Sequence, residues 1–133
     1  MNTNLLMISS AFLMGVCGVL LQFIPHEVLS YFGIGSSGIN ALFLQIAGAL
    51  YLGFAMMNWM AKTVLIGGIY ARPLAMGNFL HFLVGALAFL KYAVASSGEA
   101  AVWVLAALYS LFAILFGFVF FTHPAKAKMA AGN

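Results

Sequence analysis

Residues 99–122 read EAAVWVLAALYSLFAILFGFVFFT. After Glu99 the stretch holds no charged side chain, and Tyr109, Ser110 and Thr122 are its only hydroxyls. A bilayer's hydrocarbon core takes about 20 apolar residues to cross as an α-helix, because each residue advances about 1.5 Å and every backbone polar group must be bonded within the segment. The stretch meets that requirement. It stops at His123-Pro124, since proline has no N–H to donate and its ring clashes with the preceding turn. It opens on Ser97-Gly98-Glu99, and an acidic group is favoured at the positive end of a helix dipole.

Working outward, three more segments have the same character. They run from about Leu5 to Ile24, ended by Pro25; from about Ile39 to Ala61, ended by Lys62; and from about Pro73 to Ala95, opened by Arg72-Pro73 and closed by Ser96-Ser97-Gly98. The chain of 133 residues is 65% hydrophobic and 5% charged, against roughly 45–50% and 25% in soluble domains. Five basic and two acidic side chains cannot cover the surface of a soluble fold, and so apolar a chain does not stay disordered. Continuous apolar runs also exclude a membrane β-barrel, whose strands alternate with period two. The expected fold is all-α: an integral membrane four-helix bundle, a single transmembrane domain over residues 1–133. The first run has no Lys or Arg before it and no small-residue cleavage site after it, so it is read as a retained span and not as a signal peptide.

The connections differ in kind. Residues 25–38 are too long for a turn; Val28, Leu29 and Phe32 against His26, Glu27 and Ser30 predict a short amphipathic helix on the membrane surface. Residues 62–72 contain Gly67-Gly68 and read as a loop, partly re-entrant by its apolar content. Residues 96–98 predict a tight turn between antiparallel neighbours, and the tail from Lys126 to Asn133 is expected to fray. With four spans, Lys62, Arg72, Lys126 and Lys128 fall on one side and Lys91, Glu27 and Glu99 on the other. Basic excess marks the cytoplasmic side, so both termini are expected there, in a bacterial inner membrane. Lys91 either snorkels among headgroups or pairs with Glu27 or Glu99.

Helices associate in lipid through small residues that let backbones approach. Candidates are Ala11 and Gly15 beside Gly18, Ala49 and Gly53 beside Gly48, the stripe Gly77, His81 and Gly85, and the pairs Ala106/Ser110 and Ala113/Gly117. The lone Cys17 forms no intrachain disulfide and reads as a structural thiol.

Polar side chains within spans are costly and face the interior. Here they are few: Ser9, Ser10, Gln22, Gln45, Asn58, Asn78, His81, Tyr109 and Ser110. At ~1.5 Å per residue, Asn58 lies roughly 6 Å from Lys62 and Asn78 roughly 9 Å from Arg72. Asn78 and His81 are three apart and share a helix face. Asn58, Asn78 and His81, with Ser9 or Ser10, therefore form a polar layer in the inner leaflet, above the interfacial anchors Trp59, Tyr70 and Arg72. Two readings stand. The layer is a set of interhelical hydrogen bonds that fixes register, or it lines a cavity in which Arg72 holds a carboxylate or phosphate; Gln45 and Tyr109, further up, either line its upper part or, as the preferred reading, simply bond backbone. His26 and His123 sit at span ends, so no bis-histidine haem or metal site is available, and no cofactor is implied.

The layout resembles small bacterial four-helix membrane proteins of the DoxX-like group. The resemblance rests on Phe23-Ile24-Pro25-His26-Glu27, on Gln45-Ile46-Ala47-Gly48-Ala49-Leu50-Tyr51-Leu52-Gly53 and on Arg72-Pro73. It implies the fold and carries over no catalytic residue. The membrane-embedded acids, paired cysteines or arginines that define other four-span families are missing from these spans. Catalysis needs a positioned base and a polarising group; His81 with Tyr70 or Arg72 is the nearest approach, with nothing to activate it. The expectation is a non-enzymatic protein that binds a small lipophilic or amphiphilic ligand, or a membrane partner, through its polar layer. An oligomeric transporter or channel subunit is the alternative. The bilayer is the expected surround, self-association is open, and no basic stripe suggests nucleic acid.

Overall fold

A computed structural model describes residues 3–64, 71–95 and 99–122. Its elements are α1 (Thr3–Phe23), α2 (Pro25–Tyr31), α3 (Gly38–Met60), a 3-10 turn (Ala61–Thr63), α4 (Arg72–Ala95) and α5 (Ala100–Thr122). No strand occurs among the described residues. Four of the helices are long and apolar enough to cross a membrane, so the chain is an all-α, multi-pass membrane protein. The loop at 65–70 with Tyr70, the turn at 96–98, and the tail with His123, Lys126 and Lys128 lie outside the described residues.

The helix ends follow from local chemistry. Pro25 opens α2 in its first turn, where a missing N–H costs nothing. Two backbone bonds close α2, Gly33 N–H to the Ser30 carbonyl at 3.1 Å and Ile34 N–H to the Leu29 carbonyl at 2.9 Å. That pairing is a Schellman motif, and it needs a left-handed residue between the helix and the exit; Gly33, with φ of 64°, supplies it. Pro25 and Leu29 are buried while His26, Glu27 and Ser30 are exposed, as the amphipathic pattern predicts. Ser37 caps α3, its hydroxyl accepting from the Asn40 amide at 3.4 Å, and the Asn40 carboxamide donates to the Gly35 carbonyl at 2.7 Å. At α5, Glu99 is the last residue before the helix, and its carbonyl accepts from the amides of Val102 and Trp103.

The chain divides into two compact units, residues 1–63 and 64–133. In the first, α1 and α3 form an antiparallel pair, with α2 at the end where they connect. The buried positions of α1 (Leu6, Met7, Ser10, Ala11, Met14 and Gly18) recur every three to four residues, the period that sets side chains on one helix face. Backbones come closest at Gly18 and Gly48. A methyl group added to Gly48 would lie 2.9 Å from the Gln22 nitrogen and 3.0 Å from the Gly18 carbonyl oxygen. Of the small residues expected to pack, Gly48 therefore makes the crossing, whereas Ala49 is exposed and Gly53 has nothing within 4 Å of where its methyl would stand.

In the second unit α4 and α5 pair antiparallel through aromatic rings. Phe82 stacks on Phe112 at 4.8 Å between centroids and on Phe116 at 5.7 Å, and meets Tyr109 edge-on at 5.2 Å. Offset-stacked and edge-to-face arrangements are those the ring quadrupole favours. Gly85 and Gly117 make room for this ladder: a methyl on Gly85 would come within 2.6 Å of the Tyr109 ring, and one on Gly117 within 3.0 Å of Phe79. Outward positions such as Phe12, Val94, Ile114 and Phe121 are large, apolar and exposed, as a lipid-facing surface requires.

Candidate functional site

In the first unit the antiparallel register brings the last two turns of α3 beside the first turns of α1. The Asn58 carboxamide donates to the Ser10 hydroxyl at 3.1 Å and reaches the Met14 sulfur at 3.8 Å. The Ser10 hydroxyl itself donates to the Met7 carbonyl at 3.0 Å. Both side chains are fully buried. A hydroxyl has one proton and two lone pairs, so Ser10 serves as acceptor and donor at once in a short polarised chain. Ser9 lies on a different face, exposed, with its hydroxyl bonded to the Leu6 carbonyl at 3.1 Å. Of the two serines proposed for the polar layer, Ser10 is the one that meets Asn58.

Gln45 lies at the opposite end of α3 and donates to the Gln22 carbonyl at 3.5 Å. Thirteen residues of continuous helix, about 20 Å at 1.5 Å each, separate it from Asn58. These two candidate ligands do not meet.

The second unit holds Arg72, Asn78, His81 and Tyr109. Asn78 is fully buried and donates back to the Leu74 carbonyl at 3.0 Å. His81 is half-buried, with its ring 5.7 Å from Tyr109 and 5.3 Å from Phe82. Tyr109 is buried in the aromatic ladder and also meets Phe89 at 5.0 Å. The exposed Arg72 sets its guanidinium 5.7 Å from the Phe120 ring. Thus His81 and Tyr109 are brought together, while Arg72 is engaged with an aromatic face at the end of the hairpin. Among the described residues no three His, Cys, Asp or Glu side chains gather as metal ligands would.

One feature was not anticipated from the sequence. An open groove of about 990 Å³ runs along one face of the first unit, between α1 and α3. Its floor is made of small residues, Ala11, Gly15 and Ala55, and its sides of Leu5, Phe12, Val16, Met56 and Trp59. Ser9 is the lone hydroxyl in the lining. A methyl on Gly15 would stand 3.8 Å from the Ala55 side chain, ordinary contact, so the helices are slightly apart here and close only at Gly18. The signal was the pair Ala11/Gly15, which reads as a helix-packing stripe. The absence of a large side chain there produces a trough because the partner helix crosses one turn further on. Trp59 of this lining also carries the Lys62 ammonium 3.4 Å from its ring centroid, within the range of a cation–π contact.

Comparison of the chain with protein-family models, with curated proteins and with solved structures finds no match.

Proposed function

We propose that this protein is a non-enzymatic, membrane-embedded binding protein for a lipophilic or amphiphilic molecule, resident in a bacterial inner membrane with the Lys62 and Arg72 ends cytoplasmic. The groove between α1 and α3 carries the reading. Its volume of about 990 Å³ matches the upper range of small-molecule sites, roughly 300–1,000 Å³. Its lining is almost wholly apolar, which suits a hydrocarbon body and offers nothing to a polar substrate. In this reading Asn58 fixes the register of α3 on α1 through Ser10, while Asn78 is bonded within its own helix to the Leu74 carbonyl. His81 packs against the Tyr109 and Phe82 rings.

Mass spectrometry of organic extracts tests the proposal. Protein solubilised in mild detergent is expected to retain about one lipophilic molecule per chain, and Gly15→Leu, which fills the trough, is expected to release it while helical circular dichroism is unchanged. Extracts containing detergent alone would overturn the reading.

A further inference from the structure

We infer that the groove of the first unit seats an acyl chain of a phospholipid with a net negative headgroup, whose phosphate lies against Lys62. This rests on the binding function proposed above and names its ligand class.

The shape of the groove argues for a chain. It extends along α1 from Leu5 to Leu20, about 22 Å at 1.5 Å per residue. That length and an almost wholly apolar lining suit an extended hydrocarbon chain. The one hydroxyl in the lining, on Ser9, is bonded to its own helix at the Leu6 carbonyl, so the trough is apolar along its whole run.

The Trp59 end argues for the sign of the headgroup. Trp59 belongs both to the groove wall and to a cation–π contact with Lys62, three residues further along the chain. The only acid in residues 1–63 is Glu27. It sits on α2, at the opposite end of the α1–α3 pair, about 30 Å away along helices of this length. Within this unit, then, Lys62 has an aromatic face on one side and no carboxylate within reach. A lipid phosphate entering with its chain in the groove supplies the missing negative charge through a charge-assisted hydrogen bond. A choline-bearing headgroup brings a second cation to the same place and is disfavoured.

Native mass spectrometry of the full chain decides this, titrating phosphatidylglycerol or phosphatidylcholine of identical acyl chains into delipidated protein. The expected result is at least fivefold stronger retention of phosphatidylglycerol, falling to less than twofold in Lys62→Gln with one lipid still bound. Gly15→Leu and, from the opposite wall, Ala55→Leu are expected to abolish retention of both lipids. Equal retention of the two lipids by the wild type, or a preference that survives Lys62→Gln, overturns the headgroup assignment and leaves the groove intact as a binding site. Retention unaffected by both Gly15→Leu and Ala55→Leu overturns the groove itself, and with it the proposed function. A dimer that excludes lipid from the groove overturns the inference in favour of a second copy as occupant.

Discussion

The Asn58 carboxamide meets the Ser10 hydroxyl at 3.1 Å across 48 residues of sequence. It ties the end of α3 to the beginning of α1 where both side chains are fully buried. Interhelical hydrogen bonds in membranes are worth about 0.6–2 kcal/mol, because the separated helices find other partners in the membrane. Ser10→Ala and Asn58→Leu should each lower stability by about 1 kcal/mol, and the double variant should cost less than the sum. Unfolding equilibria in mild detergent measure the cycle. Additive losses would show that the two residues act separately.

The closest approach of α1 and α3 is set by Gly48, whose added methyl would meet backbone atoms of Gln22 and Gly18. Backbone cannot rotate away as a side chain can. Gly48→Ala should therefore force the helices apart at a cost of about 1–3 kcal/mol, the usual penalty of overpacking. Gly53 faces open space one and a half turns later, and Gly53→Ala should be neutral or slightly stabilising, since alanine is the better helix former. Thermal melts of the two variants make the comparison, and equal destabilisation would displace the crossing point from Gly48.

How far the sequence was legible follows from which physical rules are local. Apolar length decided the four long helices, and their described ends agree within about two residues because proline, glycine and capping groups act on their own neighbourhood. The surface helix after Pro25 was legible for the same reason. Packing was less so. The sequence points to Ala49 and Gly53 with Gly48 beside them, and only the direction in which α1 crosses selects Gly48 over that pair. The pairing of Asn58 with Ser10 was anticipated in depth along the membrane normal, since depth follows from counting residues, but the choice between Ser9 and Ser10 depends on helix rotation. The groove escaped notice because a trough is defined by where a partner helix diverges, a relation between segments some 40 residues apart.

In the second unit the ring ladder centred on Phe82 makes its own prediction. Phe82 is 0% exposed and contacts Tyr109, Phe112 and Phe116. Phe82→Ala should remove these contacts and leave a cavity that neighbouring rings cannot fill, at a cost of about 3 kcal/mol or more. Phe12, 73% exposed on the first unit, exchanges protein for lipid contacts at little difference, so Phe12→Ala should change stability by less than about 0.5 kcal/mol. Similar losses from both would mean that the aromatic contacts carry no special weight.

Orientation gives the last prediction. The 3-10 turn that follows α3 carries Lys62, α4 opens on Arg72, and the connection between α2 and α3 has no basic residue. Because cytoplasmic segments hold the basic excess, the Thr63 end should face the cytoplasm and the Ser36 connection the opposite side. Both positions are exposed. In a Cys17→Ser background, Ser36→Cys should react with a membrane-impermeant maleimide applied to intact spheroplasts. Thr63→Cys should react only after the membrane is opened. The reverse pattern would invert the topology and put Lys62 in the outer leaflet; labelling of both from one side would mean that α3 does not cross. Charge is the cause in this account, so adding two lysines near Ser36 while replacing Lys62 and Arg72 by glutamine should weaken or invert the preference, read by the same labelling.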